Sequence, residues 1–393
     1  MKVVWLSQYN ILELLPQIKL NREEILHSSS WIHTLSHQLA LNKEIELHII
    51  TYSQLVEATQ MIKKNGIHFH VIKYNFPFTK KGFPWYFPLD KLTAYYSFSK
   101  KAQKIIDKIG PDVLHVHGTE GGYFLPTLKT RVPCIISIQG IIGEIVKLEP
   151  NVSAYLQVFY EKYAIRNGKY FGCRTNFDSQ YVKRTNPNAV ILNLPEAMNK
   201  VFFEQQWKAP PGLSMLYVGS VIRRKGIEDL IYALYKLKES FPTIKLKIIG
   251  SGTKKYHEKL MGIIKNLNLQ SNIFWLGNKS AAEVATELSN SSLFVLPSLI
   301  DNSPNCLVEA MAVGVPSIAT SVGGITSLVD DKYDGMLFEK HNIDELVRVI
   351  KILAKDLELQ HTLSINGRKK ALKENFPSKV AEIYIAAYKS IIA

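Results

Sequence analysis

The stretch 219–226, GSVIRRKG, combines glycines with three cations directly after a short apolar run. Arg223, Arg224 and Lys225 stand immediately before a helical pattern. The backbone N–H groups and the partial positive charge of a helix N-terminus bind phosphates, and neighbouring cations add full charges. The stretch therefore predicts a pyrophosphate site, although the same residues would also suit a basic turn at the surface.

The stretch 293–314, LFVLPSLIDNSPNCLVEAMAVG, places a polar loop between a buried strand and a small-residue helix. A carboxylate one turn into such a helix can accept hydrogen bonds from two vicinal ribose hydroxyls. A capped helix with an acid near its N-terminus would explain Asp301 and Ser303. It would not explain Glu309, which stands among apolar residues. The candidate binding residues here are Asp301, Ser303, Pro304, Asn305, Cys306 and Glu309.

Glycines follow several other apolar runs of the second half, where a ligand can approach the backbone closely. Because ligands of doubly wound sheets lie at the carboxyl ends of strands, we expect these turns to line one crevice. The candidate glycines are Gly219, Gly250, Gly252, Gly277, Gly323 and Gly324.

Short apolar runs alternate with helix-length amphipathic segments along the whole chain, which predicts βαβ units and parallel sheets. The alternation weakens before Pro210-Pro211-Gly212, so we expect two doubly wound α/β domains. Their predicted bounds are 1–200 and 213–377, with a linker at 201–212 and a last helix at 378–393 that could pack back on the first domain. The runs predicted as strands are 3–6, 46–50, 113–116, 134–138, 213–218, 245–249, 273–276, 293–296 and 317–319.

The 393 residues carry a net charge of +14, which favours anionic partners. No nucleic-acid recognition motif is present, and three scattered cysteines suit a reducing compartment. No apolar run reaches the roughly 18 residues of a membrane span, so we expect a cytoplasmic protein, peripheral at most at the inner face of the membrane. The segment 80–91, KKGFPWYFPLDK, suits an anionic membrane surface or a loop packed on its own domain.

Together these features resemble glycosyltransferase family 4, in its bacterial polysaccharide-type members. The resemblance rests on GSVIRRKG, IIGSG, the stretch 293–316, SVGG and DGMLF, in that order. It implies the GT-B fold, two Rossmann-like domains facing each other across a cleft. It also implies a retaining, metal-independent hexosyltransferase that uses a nucleotide-sugar as substrate, UDP- or GDP-linked, and no cofactor.

The family's pair of glutamates, separated by seven intervening residues, falls on Asp301 and Glu309. The resemblance implies that Glu309 binds the donor ribose, that the shorter Asp301 approaches the donor sugar, and that Lys225 holds the diphosphate. The family's usual arginine position is Ser220, so Arg223 or Arg224 would replace it. A glutamate often follows the paired glycines, where Ser327 stands.

The first half corresponds to the family's acceptor domain, for a saccharide or lipid-linked acceptor in cell-surface polysaccharide or glycolipid synthesis. The candidate acceptor-side residues are His117 and Gln139, at predicted strand ends; many relatives have a histidine in place of Gln139. The pair His115 and His117 has no third ligand in view, so no metal site is predicted. Two other functions stay open: a catalytically silent nucleotide-sugar-binding protein, and another nucleotide-sugar enzyme of epimerase or phosphorylase type.

Overall fold

The computed structural model describes residues 1–17, 30–74, 89–119 and 122–392. The strands are β1 (Lys2–Leu6), β2 (Glu46–Ser53), β3 (Gln60–Lys64), β4 (Ile67–Lys73), β5 (Val113–His117), β6 (Cys134–Ser137), β7 (Tyr170–Cys173), β8 (Val190–Asn193), β9 (Ser214–Val218), β10 (Lys245–Ile249), β11 (Ile273–Gly277), β12 (Leu293–Leu296), β13 (Ser317–Thr320) and β14 (Met336–Phe338). The helices are α1 (Ile11–Leu14), α2 (Ser30–Ala40), α3 (Leu89–Ile109), α4 (Ile142–Leu148), α5 (Val152–Asn167), α6 (Asn176–Thr185), α7 (Lys200–Glu204), α8 (Ile227–Lys238), α9 (Lys254–Asn266), α10 (Ala281–Ser289), α11 (Asn305–Val313), α12 (Ile325–Leu328), α13 (Ile343–Lys355), α14 (Leu357–Glu374) and α15 (Pro377–Ile392).

The chain forms two compact units. Unit 1 comprises Met1–Ala197 and Pro377–Ala393, and unit 2 comprises Met198–Phe376. The segment 201–212 lies within unit 2, where α7 occupies its first residues. Helix α15 is part of unit 1.

Unit 1 has a central sheet of eight strands in the order β3-β4-β2-β1-β5-β6-β7-β8, parallel except for the hairpin β3–β4. Strand β1 shows why these runs are continuously apolar. Val3 and Trp5 enter the core on one face of the sheet, while Val4 and Leu6 enter the core on the other. Helices on both faces therefore leave few positions on the central strands for polar side chains.

The two faces of the unit 1 sheet are covered by different helices. One core takes its helical residues from α1, α2 and α15, and the other takes them mainly from α3, α5 and α6. Tyr384 and Tyr388 of α15 are buried against β1 and β5. Burying an apolar side chain of this size contributes roughly 1.5–3 kcal/mol, which holds the last helix to unit 1.

Unit 2 has a fully parallel sheet of six strands in the order β11-β10-β9-β12-β13-β14. Strands β9, β10 and β11 follow one another from the centre of the sheet to one edge. Strands β12, β13 and β14 then follow one another from the centre to the other edge. The direction reverses between β9 and β12, so the helices that follow these two strands lie on opposite faces of the sheet, the arrangement at which ligands of doubly wound sheets bind. In unit 1 the corresponding reversal lies between β1 and β5.

Candidate functional site

The reversal point of unit 2 brings together the loops that follow β9 and β12. The amide of Leu299 donates to the carbonyl of Arg224 at 2.8 Å. Gly226 lies between the cationic turn and α8 with a φ of 69°, and a Cβ there would come within 1.8 Å of the Pro297 carbonyl oxygen. Only glycine fits this contact, so the sequence Lys225-Gly226 fixes the cationic turn against the end of β12.

An ion pair joins the two loops at this point. Lys225 Nζ lies 2.5 Å from Asp301 Oδ2, and the two side chains are only 11% and 12% exposed. The Asp301 carboxylate also accepts a hydrogen bond from Ser298 Oγ at 3.0 Å. Its backbone carbonyl accepts from the amide of Gly324 at 3.0 Å. These contacts hold the carboxylate and the ammonium in fixed positions at the carboxyl ends of β9, β12 and β13.

Helix α11 begins at Asn305 beside this ion pair. Pro304 occupies the N-cap without a side-chain hydrogen bond, so Ser303 does not cap the helix. Asn305 Oδ1 is buried and accepts no hydrogen bond within the described part of the chain. The uncapped end presents backbone N–H groups that can bind an anion.

Cys306 and Glu309 lie within electrostatic reach of the same pair. Burial raises the pKa of the Cys306 thiol to about 12; Glu309 and Asp301 also raise it, while Lys225 lowers it. Cys306 thus lies near both carboxylates predicted from the sequence and near the predicted lysine. Glu309 is half-buried on the first turns of α11, which suits an acceptor of hydroxyl hydrogen bonds.

The glycine turns after β9 and β10 pack directly on each other. Gly250 has a φ of 126°, and a Cβ there would come within 1.9 Å of the Gly219 carbonyl oxygen. Val221 and Gly252 form an isolated parallel bridge that continues this packing. The Gly277 carbonyl accepts from the Gly250 amide at 2.8 Å, at the exposed end of β11.

The remaining predicted donor-site residues take different positions. Arg223 is exposed, and its charge lowers the pKa of Tyr256, against the larger effect of burial. Arg224 is half-buried and near the buried hydroxyl of Tyr217. Gly323, with a φ of 54°, forms the turn after β13 that brings Gly324 to Asp301.

Sequence reasoning missed two side chains that support this site. Ser298 is fully buried; besides its bond to Asp301, its carbonyl accepts from Thr320 Oγ1 at 2.5 Å. Tyr217 is fully buried in β9 and donates to the Ser220 carbonyl at 2.8 Å. Polar side chains at the ends of apolar strands were the available signal for both.

In unit 1 the carboxyl end of β5 presents a buried histidine. His117 is 6% exposed, and neither ring nitrogen forms a hydrogen bond within the described part of the chain. Its ring stacks on His115 with centroids 4.0 Å apart and lies against Trp5 at 4.3 Å. Burial lowers the pKa of His117 well below its ordinary value, helped by His115 and Arg174, so the ring is neutral.

Gln139 belongs to a second polar group at the same edge of the unit 1 sheet. Arg174 follows β7 and donates to Gln139 Oε1 at 3.0 Å and to the Ile138 carbonyl. It also forms an ion pair with Glu196, and these two side chains are 6% and 4% exposed. Arg174 therefore orients Gln139, a support that sequence reasoning missed because the paired charges lie 22 residues apart.

His115 is fully buried, and a chain of buried hydrogen bonds holds its ring. Trp5 Nε1 donates to the Tyr388 hydroxyl at 2.9 Å, and that hydroxyl lies 2.7 Å from His115 Nδ1. His115 Nε2 lies 2.8 Å from Ser137 Oγ. Burial lowers the pKa of His115 to about 3, so the ring is neutral and donates one of these two hydrogen bonds while it accepts the other. This histidine is a structural link between α15 and the sheet.

The remaining predictions concern membrane contact and metal binding. The aromatic segment 80–91 lies outside the described residues, apart from the backbone of its last three. Within the described ranges, no cluster of three or more histidine, cysteine, aspartate or glutamate side chains could hold a metal ion. No helix in those ranges is both long enough and apolar enough to cross a bilayer.

Comparison with known proteins follows the division into two units. Residues 200–370 match the family of glycosyl transferases group 1, and residues 25–174 match the glycosyl transferase 4-like family. An uncharacterized glycosyltransferase of Methanocaldococcus jannaschii is 30% identical over 331 residues, which cover 83% of this chain and 85% of the relative.

One further relative and one solved structure extend the comparison. The UDP-Gal:alpha-D-GlcNAc-diphosphoundecaprenol alpha-1,3-galactosyltransferase of Escherichia coli is 26% identical over 68% of this chain and 72% of its own. Sucrose-phosphate synthase of Thermosynechococcus elongatus superposes with a TM-score of 0.81 at 17% identity, over 99% of this chain and 98% of that one. This likeness shows the fold, which is the predicted GT-B class with two parallel-sheet α/β domains. The chain belongs to the glycosyltransferases of group 1 and the 4-like family, and it is a glycosyltransferase of GT-B fold.

Proposed function

We propose that this glycosyltransferase takes the sugar from a UDP- or GDP-linked donor bound at the reversal point of unit 2. The observation that carries the proposal is the ion pair Lys225–Asp301 beside the uncapped start of α11. It provides a cation for a diphosphate and a carboxylate for sugar hydroxyls within one small region. Glu309, four residues after the start of α11 at Asn305, would accept hydrogen bonds from the ribose.

The reaction breaks the bond between the anomeric carbon and the diphosphate oxygen and forms a bond from that carbon to the acceptor oxygen. Negative charge develops on the diphosphate as it leaves, and Lys225, Arg224 and the N–H groups at the start of α11 stabilise it without a metal ion. The acceptor proton passes to a diphosphate oxygen, and the new bond forms on the same face of the sugar, with retention. Family resemblance supports this stereochemistry.

The acceptor is a saccharide or a lipid-linked saccharide used in cell-surface polysaccharide or glycolipid synthesis, and the enzyme works at the inner face of the membrane. The Escherichia coli relative, whose name specifies a diphosphoundecaprenol-linked acceptor, supports this assignment. We assign the acceptor side to His117 and Gln139. His117 offers two ring nitrogens at the edge of unit 1, and Gln139 is oriented by Arg174.

The first test is a thermal-shift series with UDP, GDP, ADP and CMP in the presence of EDTA. We expect one diphosphate to stabilise the wild type and to lose its effect in Glu309→Ala. Glu287→Ala is the matched control, since Glu287 is a helical carboxylate of α10 in unit 2. If none of the nucleotides stabilises the protein, the donor site is wrongly assigned.

Transfer is then followed with the sugar-linked form of the nucleotide that binds, and the product anomer is read by NMR. Loss of transfer in EDTA would refute the metal-independent mechanism, and an inverted anomer would refute retention. Nucleotide binding with neither transfer nor donor hydrolysis would instead indicate a silent binding protein.

A further inference from the structure

Helix α5 of unit 1 exposes an unusual row of apolar side chains. Val152, Tyr155, Phe159 and Tyr163 are 61%, 59%, 62% and 42% exposed. At 3.6 residues per turn they fall within an arc of roughly 100° on one side of the helix. We call this set the α5 stripe. It runs the length of the helix, from just after the carboxyl edge of the sheet back towards the amino edge.

The opposite side of α5 is already buried, so the helix does not need the α5 stripe in order to pack. Ala164 and Ile165 lie in the core of unit 1, and Tyr160 packs against Tyr95 of α3 with ring centroids 5.8 Å apart. A helix that is apolar on two sides, one of them exposed, indicates a second partner.

Charge identifies the chemistry of that partner. Lys162 and Arg166 are exposed and fall within the same arc as the α5 stripe. The helix has one acidic residue, Glu161, which is fully buried. Its carboxylate faces inward, where it accepts from the amides of Ile142 and Gly143 and from the Tyr181 hydroxyl at 2.6–3.0 Å. The exposed side of α5 therefore carries only positive charge.

The neighbouring elements continue the same combination. Tyr96 on α3 is 57% exposed and has the ammonium of Lys100 4.8 Å from its ring centroid. The 3₁₀ turn Leu125–Lys129 packs against α3 and adds Leu128, which is 40% exposed. Interleaved aromatic rings and cations suit the interface of an anionic bilayer, where rings enter the headgroup region and cations meet lipid phosphates.

We propose that the α5 stripe and its flanking cations dock unit 1 onto an anionic membrane surface. The surface is distinct from segment 80–91, for which the sequence left open either membrane contact or packing on its own domain. Its biological purpose rests on the proposed lipid-linked acceptor, whereas binding to lipid does not depend on sugar transfer. Docking along α5 would keep unit 1 at the bilayer, where a lipid-linked acceptor is confined.

The test is co-sedimentation of the full chain with two kinds of vesicle. One kind is phosphatidylcholine alone, and the other is phosphatidylcholine and phosphatidylglycerol in equal parts. We expect binding to the anionic vesicles that weakens as salt is raised. The triple variant Tyr155→Ser, Phe159→Ser, Tyr163→Ser should reduce the partition coefficient by about tenfold or more.

The matched control replaces three exposed aromatic residues of unit 2, Tyr232, Tyr235 and Tyr333, by serine, and it should bind as the wild type does. A separate variant, Lys162→Gln with Arg166→Gln, should lose about tenfold on anionic vesicles alone. This double variant tests the proposal even if the triple variant folds poorly.

Vesicle binding by the triple variant equal to that of the wild type would overturn the proposal. A wild-type protein that binds neither kind of vesicle would also overturn it. The same holds if the wild type forms a dimer that the triple substitution dissociates and binds no vesicles, because the α5 stripe would then be a dimer interface. The response of each variant to UDP is measured in parallel. Loss of vesicle binding with the UDP response retained assigns the effect to this surface, whereas loss of the UDP response alone bears on the donor site.

Discussion

Replacing Asp301 by asparagine should strengthen the binding of the nucleoside diphosphate of the proposed donor, taken as UDP, while it weakens sugar transfer. Lys225 Nζ lies 2.5 Å from the Asp301 carboxylate, so a phosphate oxygen bound to the same ammonium would lie within about 5 Å of that carboxylate. At an effective dielectric constant of about 20, two like charges about 5 Å apart repel each other by about 3 kcal/mol. Asparagine keeps the shape of the side chain and removes this repulsion.

The two side chains are 11% and 12% exposed, so salt and water reduce the repulsion, and we take half of it. About 1.5 kcal/mol corresponds to roughly tenfold tighter binding of UDP. Without ligand, Lys225 loses its counter-charge, which should cost unit 2 about 1–3 kcal/mol. For a domain of this size, that lowers the melting temperature by roughly 3–10 °C. Bound UDP should restore most of the lost stability because its phosphate replaces the missing counter-charge of Lys225. The rise in melting temperature on adding UDP should therefore be larger in the variant than in the wild type.

The assay is isothermal titration with UDP, followed by transfer measurements with the UDP-sugar. Glu287→Gln is the control because it removes an ion pair of unit 2, with Lys247 at 2.7 Å, between side chains that are 25–27% exposed. Transfer should fall in Asp301→Asn because a neutral amide replaces the carboxylate in the proposed contact with the sugar, and it should be unchanged in the control. A folded Asp301→Asn protein that binds UDP equally or more weakly would show that Lys225 does not hold the diphosphate.

Three further predictions follow from the geometry. Gly250→Ala would place a Cβ 1.9 Å from a neighbouring carbonyl oxygen at a φ of 126°, so we expect a loss of about 2 kcal/mol or more in unit 2 and no response to UDP in thermal shift. Gly212→Ala, with positive φ but no atom within 4 Å, should retain the UDP response. Tyr388→Phe leaves Trp5 Nε1 and His115 Nδ1 unpaired in the core, which should cost about 2–4 kcal/mol in urea unfolding of unit 1; a change below about 0.5 kcal/mol would contradict the hydrogen-bond chain. Because burial lowers the pKa of His115 to about 3, the unfolded chain binds an extra proton below about pH 6.5. This residue alone should cost unit 1 about 2 kcal/mol between pH 7 and pH 5, and the lowered pKa of His117 adds to the loss; equal unfolding free energies at the two pH values would refute this.

The strands at the centre of each sheet could be predicted closely because both of their faces are buried. The run 293–296 matches β12, and the run 113–116 matches β5 to within one residue. The edge strand β3 was missed, since most of Gln60–Lys64 is exposed and it lacks a continuous apolar signal. Helix α5 was also missed, because apolar residues on two of its sides hide the 3.6-residue period on which such a prediction depends.

The candidate site was predicted in its residue types but not in its contacts. Lys225 and Asp301 are 76 residues apart, and the order of strands decides whether they meet. Sequence spacing places each residue at a strand end, but it does not establish that β9 lies beside β12. The resemblance to known glycosyltransferases supplied that step. It could not supply the Arg174–Glu196 pair, because that contact depends on two side chains being buried together at the carboxyl end of β7.

The contacts around Asp301 imply that the proposed donor site is organised by unit 2 alone. Its carboxylate is bound by Lys225 and Ser298, and its backbone by Gly324, and these residues follow β9, β12 and β13 of a single sheet. The carboxylate is therefore already oriented when unit 2 folds, so donor binding does not bear the entropic cost of orienting it. His117 and Gln139, by contrast, are held by the core and charges of unit 1. Damage to the unit 1 edge should consequently reduce transfer while donor affinity is preserved, which separates the two halves of the reaction experimentally.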